Sequence, residues 1–517
     1  MSRKLVVVGA GPVGCLAALA FAKRGWLVDI YEGRPDMRLP SSKLATQQRS
    51  INLAISHRGI AAIEAVDAVA AQRFLQSAIP MHGRMIHKLS GEQQSQQYDR
   101  DGQVRKITTP SSTDCFIQLR THLLQYINSI DRALLNEGLL QEATSSPNVR
   151  VFFDSKVLSA DFDNKTITIR NTTTNFEQSI DFDLCLGADG SYSVIRRQMM
   201  RVVRMNFQQE YIRDEYVELK MPAGRNEKGE PAYLLDPNHL HIWPRHSFMF
   251  IALPNKDKTF TCTLFAPSTE LDRLCSADII LSWFKSYFPD AVRAIGEQRL
   301  VEDFMKNPRC PLICTKAKPY HYKDRVIILG DAAHSMVPFY GQGLNAGLED
   351  VRVLSTILDE EGVQSSPSIP DYQDRRLANA LQRYTDTRHE DLIAICDLAM
   401  DNYVEMRHSV TQLTYLIRKT LDNLLYSITS PHLVSLSSLA PTLSRVPYPP
   451  GKPKGWLPLY TMVTFRPDIN YATVKEKAAR QSIILDWLSW LGVVVFGVAV
   501  AWIMWLARKM VVAIGGH

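Results

Sequence analysis

Leu5-Val-Val-Val-Gly9-Ala-Gly11-Pro-Val-Gly14-Cys-Leu-Ala-Ala-Leu-Ala-Phe-Ala22 runs for 18 residues without a charge, and hydropathy alone would make it a signal peptide or a short membrane span. The glycine spacing divides it differently. Leu5 to Val8 suits a buried strand, Gly9-Ala-Gly11 a tight turn, and Pro12 a first helical turn, where a fixed φ is tolerated. An Ala-rich helix from Val13 to Lys23 and a second apolar strand from Leu27 to Tyr31 should follow, and that strand runs into Glu32, 18 positions after Gly14. Together these form the βαβ unit of a dinucleotide site. Gly9, Gly11 and Gly14 allow a close turn, the helix N-terminus stabilises a pyrophosphate, and the acid accepts from ribose hydroxyls. An acid at Glu32 disfavours a 2′-phosphate and leaves NAD or FAD.

Two later segments have the same character. Asp183-Leu-Cys-Leu-Gly187-Ala-Asp189-Gly190 reads as a strand feeding a turn, and Arg325-Val-Ile-Ile-Leu-Gly330-Asp331-Ala-Ala-His334 as another. After the second, Pro338-Phe339-Tyr340-Gly341-Gln342-Gly343-Leu344-Asn345-Ala346-Gly347 should open a helix whose first N–H groups face an electronegative ring edge. Taken alone, both are also compatible with ordinary strand-to-helix turns. A second Gly-x-Gly-x-x-Gly after a strand is missing from the sequence, so a dedicated nicotinamide domain is not expected.

The chain has 517 residues, 59 Lys plus Arg against 53 Asp plus Glu, and 45% hydrophobic residues. That length suggests two to four domain-sized units, and the composition is that of a chain folding in water. The net charge of +6 is spread thinly, without the basic runs that track a phosphodiester backbone, so no nucleic-acid partner is expected. The eight cysteines are dispersed, and Cys310 with Cys314 has no metal-ligand spacing, so they read as reduced residues of a protein facing the cytosol, with no metal site. Trp487 to Ala507 is a second uncharged run, 21 residues long, with tryptophans near both ends and Arg480, Arg508 and Lys509 flanking it. Its length and belts predict a transmembrane helix, the layout of a tail anchor, with a buried core helix as the alternative.

The order of the motifs, an N-terminal Gly-x-Gly-x-x-Gly, a central Asp-Gly and a late Gly-Asp before a glycine-rich helix start, resembles the class A, single-component flavin-dependent aromatic hydroxylases. The resemblance implies an α/β fold with a Rossmann-like FAD-binding domain, a substrate-covering β-sheet and a helical C-terminal region. It implies tightly bound FAD, NADPH as transient reductant and O₂ as co-substrate. Asp331 would contact the ribityl chain, the backbone of Gly343, Leu344 and Asn345 the isoalloxazine edge, and Arg120 would lie beside the flavin. Val13, Tyr31, Glu32, Gly33 and Arg34 would meet the adenosine side, with Ala54, Val157 and Asp189 adjacent.

Segments from Arg49 to Gly59, Ile79 to His87, His239 to Pro244, Phe260 to Phe265, Asn402 to Arg407 and Pro458 to Phe465 resemble the branch of this family that acts on L-kynurenine at the mitochondrial outer membrane. Such a substrate carries an amino-acid head and an ortho-aminophenyl ketone, so it needs a cation for its carboxylate and apolar walls for its ring. The resemblance implies that Arg84, Tyr98, Asn402 and Tyr460 recognise the head and that Phe339 and Gln342 face ring and ketone. Individually, Arg84 also reads as a surface ion pair, Asn402 as a solvated helix face and Tyr460 as loop packing. The implied reaction passes through a flavin C4a-hydroperoxide and needs no protein acid or base, because the aniline nitrogen already activates the ring.

The expected organisation is a discontinuous FAD-binding domain (1–75, 105–200 and 300–360), a substrate-binding sheet (76–104 and 201–299), a helical region (361–480) and the anchor (487–507). Hydroxylation of a phenol, a flavin oxidase and a non-enzymatic partner-binding protein of the same fold remain as rival readings. The oligomeric state is not legible.

Overall fold

The computed structural model describes residues 2–42, 52–98, 126–366, 373–407, 413–429, 453 and 455–514. Its central sheet has six strands in the order His321–Tyr322, Val326–Ile328, Leu184–Gly187, Lys4–Val8, Leu27–Tyr31 and Val149–Phe152. The four pairings from Val326–Ile328 to Val149–Phe152 are parallel, and His321–Tyr322 adds an antiparallel edge. The central strands are rich in Val, Leu and Ile because both faces are covered; Leu5, Val6 and Val7 are all fully buried. The first helix, Pro12–Lys23, is buried at every position from Gly14 to Ala22. It lies between the sheet and the helices Arg132–Thr144 and Gly343–Glu360. The strands at the centre come from distant parts of the chain, which brings the three motif turns to one end of one sheet.

A separate seven-stranded sheet is ordered Cys310–Lys318, Asn206–Met221, Phe260–Pro267, Phe248–Pro254, His239–Arg245, Gly83–His87 and Gln93–Gln97. Apart from the parallel pairing of His239–Arg245 with Gly83–His87, its neighbours are antiparallel. Alternate side chains, among them Val217, Leu219, Phe250 and Leu264, join Phe284, Phe288 and Phe304 from helices between Ala277 and Lys306 in a second core. On the opposite face Ile86, Ile242, Met249 and Phe265 pack into the first core.

The helical region follows. Helix Arg375–Arg407 buries Leu377, Leu381, Tyr384, Arg388, Asp391, Ile395, Leu398 and Asn402, at three- and four-residue spacing. Helix Leu459–Phe465 and the C-terminal helix Tyr471–Ile514 pack next to one another and close one side of the molecule.

The expected transmembrane anchor is corrected here. The uncharged run is helical, but it forms the distal part of a 44-residue helix whose proximal part is docked on the protein, with Tyr471 and Val474 fully buried and Arg418 paired to Asp486 at 3.0 Å. Among the described residues, no helix is long and apolar enough to cross a membrane.

Candidate active site

The turn after the first strand is made by close contact. Gly9 holds φ at +101°, and a Cβ there would lie 2.5 Å from the Ala188 carbonyl oxygen. A Cβ on Gly14 would meet the Gly9 carbonyl oxygen at 2.1 Å, so the helix can start against the turn only without that atom. Gly11 differs, because a Cβ there would meet nothing within 4 Å. Its side of the turn is open, at a helix N-terminus whose first N–H groups have no intrahelical partner and attract a pyrophosphate.

Beside this turn, Glu32 is 8% exposed and accepts from the N–H groups of Ala10 at 2.9 Å and Arg34 at 3.0 Å. Burial pushes its carboxyl up, but the Arg34 guanidinium and the two N–H groups outweigh burial and hold it below the usual range, so it remains an acceptor at neutral pH. Tyr31 stacks on Phe152 at 4.9 Å, and the Ser155 N–H donates to the Glu32 carbonyl at 2.8 Å. These contacts bring Gly33, Arg34 and the strand Ser155–Asp161, in which Val157 is buried, to the same end of the sheet.

Val13 fixes the other turns. A Cβ on Gly330 would lie 3.2 Å from a Val13 methyl, and one on Gly347 only 2.8 Å, so both glycines let the late helix close on the early one. Asp331 opens the short helix Asp331–His334 and is exposed. One Asp189 oxygen accepts from the N–H groups of Val194 and Ile195, while its Oδ1 is buried without a partner among the described residues, and burial raises that carboxyl.

Helix Gly343–Glu360 starts without a side-chain cap, which leaves the N–H groups of Gly343 and Leu344 directed out of its end. The Asn345 side chain instead braces the site. It accepts from the Ser56 N–H at 2.9 Å and donates to the carbonyls of Ala54 and Gly341 at 2.9 and 2.6 Å. Open donors at two helix ends, the acid after the second strand and the unpartnered Asp189 oxygen fit an FAD. Arg120 lies outside the described residues.

Behind the late helix lies a buried ion network. Glu349 meets Arg58 at 3.0 Å, Arg388 at 2.9 Å and Arg352 at 3.1 Å, and Arg388 also meets Asp350 at 3.0 Å and Asp391 at 3.5 Å. Burial pushes the Glu349 carboxyl up, yet Arg58, Arg388 and Arg352 bring it down to about 2. Arg58 also donates to the carbonyls of Met462, Val463 and Ile469 and lies over the Tyr471 ring at 4.0 Å. The network therefore joins the late helix to the C-terminal region.

A cavity of about 320 Å³ opens between the seven-stranded sheet and the C-terminal helices, lined by Arg84, Tyr98, Tyr340, Asn402, Tyr460 and Gln481 among others. Arg84 is 7% exposed, faces the Tyr460 ring at 4.7 Å, approaches Glu405 only to 3.9 Å, and its Nε has no partner among the described residues. Tyr98 and Tyr460 stack at 4.8 Å and Tyr340 adds a third ring, 5.7 Å from Tyr460. Asn402 reaches the cavity, but its amide nitrogen donates to the Phe339 carbonyl at 2.7 Å.

Phe339 and Gln342 do not line this cavity. The 3-10 turn Pro338–Tyr340 sends Phe339 inward, where it stacks on Tyr403 at 3.8 Å and meets Phe265 edge-on, and presents Tyr340 instead. Gln342 is 1% exposed and accepts from the Tyr471 hydroxyl at 3.2 Å. Sequence reasoning missed Tyr340, Glu405 and Gln481. Glu405 stands three positions after Asn402, hence on the same helical face, a usable signal. Gln481 lay in the flank of the expected anchor, where no signal pointed to a cavity.

Parallel sheet, glycine-built turns and a ring-lined cavity beneath a separate sheet define a flavin-dependent aromatic hydroxylase. The sequence family described as an FAD binding domain matches residues 3–386. A kynurenine 3-monooxygenase of Yarrowia lipolytica is 42% identical over 506 residues, with 96% of each chain covered. One of Cryptococcus neoformans is 41% identical, with 98% of this chain and 99% of its own covered. The chain belongs to the kynurenine 3-monooxygenase family. In fold it is similar to 2-methyl-3-hydroxypyridine-5-carboxylic acid oxygenase, with a TM-score of 0.57 at 19% identity over 80% of this chain and 95% of the other.

Proposed function

We propose that this chain hydroxylates L-kynurenine on the ring carbon next to the amine, with FAD bound in the described cradle, NADPH as transient reductant and O₂ as co-substrate. The observation that carries the reading is the buried Arg84, whose guanidinium faces a cavity with an unpartnered Nε, beside the Tyr98 and Tyr460 rings. A buried arginine without a close carboxylate is costly unless an anion completes it. An amino-acid carboxylate supplies one, and Arg84 then fixes the substrate's direction by a two-pronged contact.

Bound FAD supplies the redox chemistry. The chain's own part is to hold the ring and exclude water. Tyr98, Tyr340 and Tyr460 provide aromatic faces against which the substrate ring can pack. The substrate amine activates its own ring, so no side chain is assigned as acid or base. A location on the cytosolic side of the mitochondrial outer membrane is part of this proposal and rests on sequence resemblance.

Anaerobic reduction of the protein's flavin by NADPH, followed with and without L-kynurenine and then with air admitted, tests the reading. Faster reduction with L-kynurenine and formation of the ring-hydroxylated product are expected. Stoichiometric peroxide without hydroxylated product would replace the reading by an oxidase. Isolation of the protein without any flavin would leave only a partner-binding role.

A further inference from the structure

The C-terminal helix contributes Ala478, Gln481, Ser482 and Leu485 to the cavity wall, at spacings of three and four residues that place them on one face. Leu485 is apolar, and Ser482 is engaged by Arg418 through its hydroxyl at 2.5 Å. Gln481 is different. It is 8% exposed, and both its amide oxygen and its amide nitrogen are buried without a hydrogen-bond partner among the described residues.

Leaving both ends of a buried amide unpaired is unfavourable, and a native structure keeps such a group where something else completes it. Other acceptors along the cavity each have a protein donor, and the carboxylates among them keep further lone pairs that can share an ammonium with Gln481. Glu405 accepts from the Tyr415 hydroxyl at 2.8 Å, Asp422 from the Trp456 indole at 2.5 Å, and the Gln96 amide oxygen from Lys419 at 2.9 Å. The substrate head carries an ammonium as well as a carboxylate. Arg84 answers the carboxylate, and an ammonium needs neutral or anionic oxygens within the same cavity.

We propose that Gln481 is a substrate-binding residue of this enzyme and that its Oε1 accepts from the α-ammonium of the bound amino acid, so that the C-terminal helix takes part in substrate selection. This rests on the kynurenine reading above. It predicts discrimination against analogues in which the α-amino group is replaced by hydrogen, because the acceptor then stays unpaired.

The test uses the full chain with its flavin and compares wild type, Gln481→Leu and Gln481→Glu, each checked for flavin content and Tm. Binding is followed by the change in the flavin spectrum with L-kynurenine and with the analogue lacking the α-amino group. Gln481→Leu should raise the Kd for L-kynurenine about ten-fold or more while changing that for the analogue less than two-fold. Gln481→Glu, which keeps an acceptor, should retain wild-type affinity for L-kynurenine. Equal loss for both ligands, or no loss for either, overturns the assignment. Should Gln481→Leu lose its flavin, the Gln481→Glu variant still decides, because an affinity drop for L-kynurenine there excludes an acceptor role. Failure of the wild type to respond to L-kynurenine at all would remove the underlying reading rather than the role of Gln481.

Discussion

Arg58 and Arg84 are both arginines buried to within a few per cent of complete, and they are treated in opposite ways. Arg58 donates to three backbone carbonyls, pairs with Glu349 at 3.0 Å and is covered by Tyr471. Arg84 has one carboxylate at 3.9 Å, two rings and an Nε without a partner among the described residues. Burying a charge is tolerable when its hydrogen bonds are met inside the protein, and otherwise when a ligand meets them. Burial alone therefore does not mark a site. What sets Arg84 apart is unmet hydrogen-bonding capacity on a residue that also lines the cavity, and the same pair of features separates Gln481 from Asn345, whose amide is fully engaged.

The comparison breaks most visibly if the closed network proves dispensable. Arg388→Met strips Glu349, Asp350 and Asp391 of a shared partner and should cost about 3–5 kcal/mol, read as a large fall in Tm and loss of bound flavin absorbance. An unchanged Tm would show that the network is not structural. Gly14→Ala, which puts a Cβ 2.1 Å from the Gly9 carbonyl oxygen, should weaken FAD binding roughly ten- to a hundred-fold by overpacking, measured by flavin titration of the apoprotein. Arg84→Ala should raise KM for L-kynurenine about ten-fold or more, with flavin content retained and Tm hardly moved, since Glu405, its one distant carboxylate, keeps the Tyr415 hydroxyl as donor. Unchanged kinetics would take Arg84 out of the site.

The network also predicts an acid limb of stability. Glu349 is held at about 2, below its unfolded value of about 4.3, so its contribution is complete above that value and is lost as pH falls from near 4.3 towards 2. Unfolding free energy measured across that window should decline for the wild type and less steeply for Glu349→Gln. The smallest effect is expected from Tyr460→Phe, which keeps the ring stack on Tyr98 and should change KM only a few-fold, the scale of one neutral hydrogen bond.

Much of the nucleotide end was legible. Gly9, Gly14 and Glu32 act over a span of two dozen residues, and each is required by a local contact that leaves its mark in residue type. Val13 was expected next to the cofactor, but its packing against Gly330 and Gly347 needs three elements in place before it exists. At the substrate end, Arg84, Tyr98, Asn402 and Tyr460 do share one cavity, whereas Phe339 and Gln342 turn inward. A one-residue change in direction within the turn Pro338–Tyr340 is enough to exchange Phe339 for Tyr340, and no periodicity encodes it. The C-terminal run differs again. Its lack of charge predicts apolar surroundings, yet its described side chains, Trp487, Trp490, Val498 and Trp502 among them, are exposed, and docking is confined to the proximal part of the same helix, whose partners lie far away in the chain.

The sequence by itself determined the βαβ unit and the two later glycine-rich turns, because glycine sterics act through residue identity, whereas the amino-acid clamp was reached only through family resemblance. Only the tertiary structure decided which buried polar groups find a partner within the protein and which, among the described residues, do not. That distinction is a matter of distances between segments as remote as Arg84, Glu405 and Gln481, and it arises only when they are packed around one cavity.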